Sequence, residues 1–360
     1  MGKKKMAMLV VATLLYGTSF ALPQTQMVEA AENPMQIIGE QLAYNPHLND
    51  PIVKTKDAVA TVKAGKLQGS KHEGIYQYLW VPYAEAARRF VKAEPQKKWK
   101  GVTDATQYGP HAPIGMVDIV DSLKWIKENI AAFGGDPDNV AIFGESGGGA
   151  KILTLMSAPS AKGLFQKGIV QSGAIDTMGV SFTPDNFIRL PLLKIMSHKA
   201  DQGGAPVYAY VFTKQNENNV AGVYHTAEIP YVFSNTPKQE KLATTMSIAW
   251  ANFARYGKPY APGLPVWEGY NRETQATMIL DDVSTLRYNH DKKLLKALAP
   301  NYKYWGIGVI ENMEEVEGGG LDSFKWRNNT SVFVNFWPVY GSDDSSLTGE
   351  NKYRRSDFAW

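Results

Sequence analysis

Residues 133–148 read Phe-Gly-Gly-Asp-Pro-Asp-Asn-Val-Ala-Ile-Phe-Gly-Glu-Ser-Gly-Gly. The apolar run Val140-Ala141-Ile142-Phe143 leads directly into Gly144-Glu145-Ser146-Gly147-Gly148, and a helix-forming stretch follows. A Gly-x-Ser-x-Gly turn between a buried strand and a helix is a nucleophile elbow, a sharp corner that presents one serine hydroxyl. Ser146 is therefore the candidate nucleophile. The corner demands strained backbone at the serine, and a Cβ at position 144 or 147 is expected to collide with the crossing strand and helix.

Working outward, residues 114–133 carry Val117, Val120, Leu123, Ile126 and Ile130 at three- and four-residue spacing, which predicts a helix. Gly134-Gly135-Asp136-Pro137 ends it. That glycine pair precedes a strand, the wrong order for a phosphate-binding turn. Residues 149–156 continue as the helix after the elbow, and 168–172 and 206–212 read as further strands. Residues 248–255 are helical, with Trp250 and Phe253 spaced for one face. Strand, helix and strand in alternation around a serine elbow predict an α/β fold with a mostly parallel central sheet flanked by helices. Upstream, 60–62 and 66–69 are short strands around Gly65, 75–83 is aromatic-rich, and 95–113 is covering loop. The aromatics at 76, 78, 80 and 83 read as core and cover.

The ends differ in texture. Lys3, Lys4 and Lys5, an apolar stretch from Met6, and Ser19-Phe20-Ala21 have the layout of a secretory signal peptide, with Ala30-Ala31 a second cleavage point. The expected organisation is signal peptide and leader over 1–31, linker over 32–57, one α/β domain over 58–300, and an extension of unknown fold over 301–360. That extension carries Glu311, Glu314, Glu315 and Glu317, then Gly318-Gly319-Gly320, then a strand-like run at 332–337. The expected location is secreted, periplasmic or cell envelope, with no membrane span after signal removal.

At 360 residues and 44% hydrophobic, the chain is long enough for a sizeable core. Its formal charge of +3 resides in the leader lysines, and no basic cluster elsewhere suggests nucleic acid. With no cysteine, disulfides, thiolate catalysis and Cys-based zinc sites are excluded. No metal-ligand cluster or phosphate loop is legible, and no cofactor is expected.

Blocks flanking the elbow resemble the type-B carboxylesterases, the group of para-nitrobenzyl esterases and cholinesterases. They are Gly65-Lys66-Leu67-Gln68-Gly69 through Tyr108-Gly109-Pro110; Asp118 through the Phe-Gly-Gly-Asp-Pro run to Gly148; Leu164-Phe165 with Gln171-Ser172-Gly173-Ala174; and Tyr208 to Phe212, His225-Thr226-Ala227-Glu228-Ile229-Pro230 and Trp250 to Trp267. The similarity spans about residues 58–295. It implies an α/β-hydrolase fold and hydrolysis of a small-molecule carboxylic ester through a serine acyl-enzyme. Ser146 would be the nucleophile, His225 the general base, and the backbone N–H of Gly147 an oxyanion donor. Glu145 and Glu228 would make structural contacts, and Ser172 a buried hydrogen bond.

Two family segments are absent. One carries the His-Gly-Gly-Gly oxyanion loop and would lie after Pro113; the other carries the triad acid and would lie between Ala174 and Val207. Asp176, Asp185 and Asp201 are the carboxylates nearby, and none matches the acid motif, so the triad acid is unassigned. The alternative expectation is a non-catalytic esterase-fold binding or scaffold protein, or a shortened inactive homologue.

Overall fold

The computed structural model describes residues 52–72, 74–87, 91, 93–108, 115–173, 189–215, 223–236, 238, 240–293 and, for the backbone, 331–336. The signal peptide and most of the linker expected from the sequence lie outside these residues. The described chain forms two compact units, one drawn from Pro46–Val140 and Ala158–Gln166, the other from Ala141–Ser157 and Lys167–Trp360.

In the first unit β1 (Lys54–Val62) turns at Lys63 and Ala64 into antiparallel β2 (Gly65–His72), and β3 (Ile75–Gln77) continues the hairpin on the other side of β2. The pair β4 (Ala84–Glu85) and β5 (Glu94–Pro95) stands apart, and β6 (Val102–Asp104) adds to β2 in parallel. Gly65 is where a side chain could not stand: a Cβ there would be 2.3 Å from the Trp99 ring, whose Nε1 donates to the Lys66 carbonyl at 3.1 Å. Helix α1 (Met116–Asn129) begins where Asp118 accepts from the Gly115 N–H at 2.8 Å. It tightens into a 3-10 turn at Ile130–Phe133, closed by Gly134 at φ 81°, a left-handed position that glycine adopts without strain. Val120, Leu123, Ile126 and Ile130 are buried as the periodicity requires; Val117, in the first turn, is exposed.

The second unit holds a six-stranded sheet. Its elements are β7 (Ala141–Glu145), α2 (Gly147–Ser157), β8 (Lys167–Gln171), α3 (Leu190–Gln202), β9 (Val207–Phe212), α4 (Ile229–Val232), α5 (Lys241–Tyr256), β10 (Thr277–Leu280), β11 (Thr285–Arg287) and β12 (Ser331–Phe336). The spatial order is β11-β10-β9-β12-β8-β7, parallel throughout except for antiparallel β11. The elbow strand and its two expected successors are thus present and parallel. The strand-like run near the C-terminus, set apart in the sequence as an extension, forms β12 inside this sheet, filling the place between β8 and β9. Every residue of β9 is buried, and α5 packs Leu242, Met246, Trp250 and Phe253 into the same core. Among the described residues, no helix is long and apolar enough to cross a membrane.

Candidate functional site

The elbow is built from backbone geometry. Ser146 has φ 55°, a left-handed value that is uncommon outside glycine. Its N–H donates to the Gln171 carbonyl at 2.8 Å, and its own carbonyl accepts from Ala150 N at 3.1 Å, opening α2. A Cβ at Gly144 would stand 2.5 Å from the Gly148 carbonyl carbon and 2.7 Å from its oxygen, so the crossing requires glycine there. The same expectation for Gly147 is corrected: a Cβ at 147 would meet only Lys151 Nζ, at 3.8 Å. The second close approach is between Gly149 and Gly173, where a Cβ on Gly173 would lie 2.5 Å from Gly149 Cα. It locks the first turn of α2 against the end of β8.

Gly147 is the first residue of α2. By position its N–H has no intrahelical acceptor and points out of the positive end of the helix dipole, as an oxyanion donor requires.

His225 begins the turn that leads into α4. The next residue, Thr226, has φ 77°, and Ser172 at the end of β8 has φ 46°. Strained non-glycine positions therefore occur at the elbow, beside it and next to the histidine, and also away from the site at Ser234, Gln275 and Asn289. Nε2 of His225 lies 3.0 Å from Oε1 of Glu145, the residue preceding the nucleophile, and both side chains are more than two-thirds buried. Glu228, in the same turn, is buried, and its Oε1 accepts from Gln171 Nε2 at 3.2 Å.

Electrostatics follow from this placement. Burial of the His225 ring opposes its charged form, but contact with Glu145 and the charges of Glu145 and Glu228 outweigh it, so its pKa is raised. Burial pushes the Glu228 carboxyl up, and the neighbouring Glu145 charge pushes the same way. Tyr210 is raised well above its ordinary value by burial and then by both glutamates, and Tyr224 is pushed up to about 12 by burial and Glu228. Both tyrosines are neutral at physiological pH.

Ser146, Gly147 and His225 all fall in this second unit, joined by Glu145, Glu228 and Gln171. Of the candidate acids, Asp201 is engaged by Arg272, and Asp176 and Asp185 lie outside the described residues. The sequence reading left Glu145 a structural role; its nearness to His225 has no local signature beyond adjacency to the serine. Among the described residues no group of three or more His, Asp or Glu side chains could hold a metal.

The carboxylesterase family model matches this chain in three pieces, residues 51–114, 113–181 and 177–298. The two joins fall near the absent segments noted in the sequence. The para-nitrobenzyl esterase of Bacillus subtilis (strain 168) is 60% identical over 65 residues, which is 18% of this chain and 13% of that protein. Human neuroligin-2 is 39% identical over 92 residues, 25% of this chain and 11% of that protein. These aligned segments are short parts of both relatives. Among solved structures, a PNB esterase superposes with a TM-score of 0.61 at 20% identity, covering 67% of this chain and 99% of that chain. At that identity the likeness speaks for the fold, which is the α/β-hydrolase fold of carboxylesterase type.

Proposed function

The chain belongs to the carboxylesterase family, and on that premise we propose that it is a carboxylic ester hydrolase working through an acyl-serine at Ser146. The observation that carries the reading is the strained Ser146 at the start of α2, in one unit with a His225 whose basicity is raised by a neighbouring carboxylate. A neutral serine attacks poorly, so a base must take its proton as the bond to the acyl carbon forms. His225 is that base, and the same proton then goes to the leaving alcohol. Water repeats the sequence and releases the acid. The Gly147 N–H stabilises the oxyanion. Without the family's glycine-rich loop the site works with fewer donors, and each missing donor typically costs about 10²–10³ in rate. The expected enzyme is therefore slow.

A fluorophosphonate probe tests this on the full chain. Labelling of the wild type that disappears in Ser146→Ala and falls in His225→Ala supports the reading, and a folded wild type that resists labelling refutes it. The second reading, an esterase-fold binding protein, is favoured by the absent oxyanion loop and gains from that negative result. Export through the N-terminal leader belongs to the same proposal; N-terminal sequencing of the mature protein, with cleavage expected after Ala21 or near Ala30-Ala31, decides it.

A further inference from the structure

We propose that Gln171 is a positioning residue of this site: its carbonyl holds the Ser146 backbone and its side-chain amide holds Glu228, so one residue couples the elbow to the histidine turn. For its effect on rate, this rests on the acyl-transfer reading of Ser146 and His225. Both holds are hydrogen bonds. The Ser146 N–H donates to the Gln171 carbonyl at 2.8 Å, and Gln171 Nε2 donates to Glu228 Oε1 at 3.2 Å. Gln171 and Glu228 are 1% and 3% exposed, so water does not readily stand in for either partner.

Gln171 is a fixed point. It ends β8, in register with Glu145 of β7 on one side and Asn335 of β12 on the other. Two residues on, Gly173 is wedged against α2, where a Cβ would stand 2.5 Å from Gly149 Cα. At the far end of the side-chain bond, Glu228 belongs to a tight run. The Ala227 N–H donates to the Tyr224 carbonyl at 3.1 Å and the Ile229 N–H to the Thr226 carbonyl at 3.0 Å. The Glu228 carbonyl in turn accepts from Tyr231 and Val232, each at 3.0 Å. A hold on the Glu228 carboxylate is therefore a hold on the turn that carries His225.

The chemistry of the donor matters. A lysine or arginine at 171 would neutralise Glu228, whereas an amide satisfies the carboxylate and leaves its charge in place. Burial opposes the charged His225 ring; contact with Glu145, then the charges of Glu145 and Glu228, outweigh it. Burial raises the Glu228 carboxyl, and the Gln171 hydrogen bond works the other way by favouring its charged form. The titratable groups around this pair are Glu145 on β7, Tyr210 on β9, and Tyr224 and His225 in the turn. Both tyrosines stay neutral through the assay range. Without the amide Glu228 takes up its proton at higher pH, and with that charge lost the His225 pKa must fall.

The test uses the full chain between about pH 5 and pH 9. Its readouts are the rate of fluorophosphonate labelling and an NMR titration of His225, the signal identified by its loss in His225→Ala. Gln171→Met, similar in length but without a donor, is expected to slow labelling by about 10- to 10²-fold and to move its acid limb to lower pH. The His225 midpoint should fall by about half a pH unit. In a Glu228→Gln background the charge is already gone, so Gln171→Met should leave the midpoint where that background puts it. Should Gln171→Met alone fail to fold, the stranded carboxylate is the cause and the double variant, neutral at 228, must fold; a double variant that also fails overturns the proposal. A loss of rate or stability with limb and midpoint both unmoved makes Gln171 merely structural and overturns it, as does an equal midpoint shift in both backgrounds. A wild type inert to the probe, whose His225 midpoint still follows Gln171 through Glu228, keeps the coupling and instead defeats the hydrolase reading.

Discussion

Gly144→Ala is the sharpest test of the elbow, because the structure says what the added methyl meets. Its Cβ would lie 2.5 Å from the Gly148 carbonyl carbon, 2.7 Å from the oxygen and 2.9 Å from Cα, all backbone atoms. Carbon atoms in contact ordinarily stand about 3.5–4.0 Å apart. The strand end and the first turn of α2 must therefore separate by about 1 Å. Neither can yield easily: Ser146 N is tied to the Gln171 carbonyl at 2.8 Å, and Gly149 is wedged against Gly173. Overpacking of this kind costs about 1–3 kcal/mol. A displacement of about 1 Å at a reacting group costs about 10²-fold in rate. Gly147→Ala is the matched control, since its Cβ would approach nothing closer than Lys151 Nζ at 3.8 Å. Alanine is also the better helix former, so stability should hold or rise by up to about 1 kcal/mol. Urea unfolding reads the stability and the second-order rate of fluorophosphonate labelling reads the site. If Gly144→Ala matches the wild type in both, or if Gly147→Ala is the more damaging variant, the packing argument for the elbow is wrong.

Asp291→Ala should be far more damaging than a surface change, because it takes a carboxylate partner from the fully buried Arg189 guanidinium; the expected loss is about 3–5 kcal/mol in urea unfolding. Val334→Pro should destabilise the chain strongly, since Val334 has a strand partner on each side, Val170 and Ala209, and an unmatched buried carbonyl alone costs about 1–3 kcal/mol; circular dichroism and urea melts check it. Stability should also fall as pH rises. His225, with its pKa raised on folding, contributes stability present in full below its ordinary value and lost as pH climbs through the folded value. Glu228, raised by burial, adds a penalty that grows from the ordinary carboxylate range upward, so the two slopes share a sign. Urea midpoints across pH should show it, flattened at the acidic end by Glu228→Gln and near neutrality by Glu145→Gln.

The elbow and its flanking strands were legible because their requirements are local: an apolar run, glycines at fixed offsets, then helix formers. Helix α1 was legible from its periodicity, although Val117 faces solvent because it falls in the first turn, before the helix settles against the core. Helix α3 escaped notice. It occupies a stretch read only for what it lacks, and Pro191 looks like a breaker, yet proline is tolerated in the first turn of a helix. The strand character of β12 could be read from its composition, but its place between β8 and β9 depends on long-range pairing that no local pattern encodes. The same limit hid the contact between Glu145 and His225. Two residues far apart in sequence meet there because a turn crosses the end of a strand, and period-based reading is blind to such meetings.

The register of the sheet explains why the site assembles where it does. Glu145 pairs with Gln171, Gln171 with Asn335, and Asn335 with Tyr210, so these residues form one row across β7, β8, β12 and β9. Neighbouring strands are about 4.8 Å apart. The His225–Glu228 turn is tied to this row at two adjacent places: the imidazole contacts Glu145 on β7, and the Glu228 carboxylate accepts from Gln171 on β8. One strand spacing therefore sets the reach of the turn, and the strained Thr226 lies inside that span. The placement of the His225 turn is thus a consequence of β7 and β8 lying side by side and in register. Among the described residues, the contacts to Glu145 and Gln171 hold this turn beside the elbow.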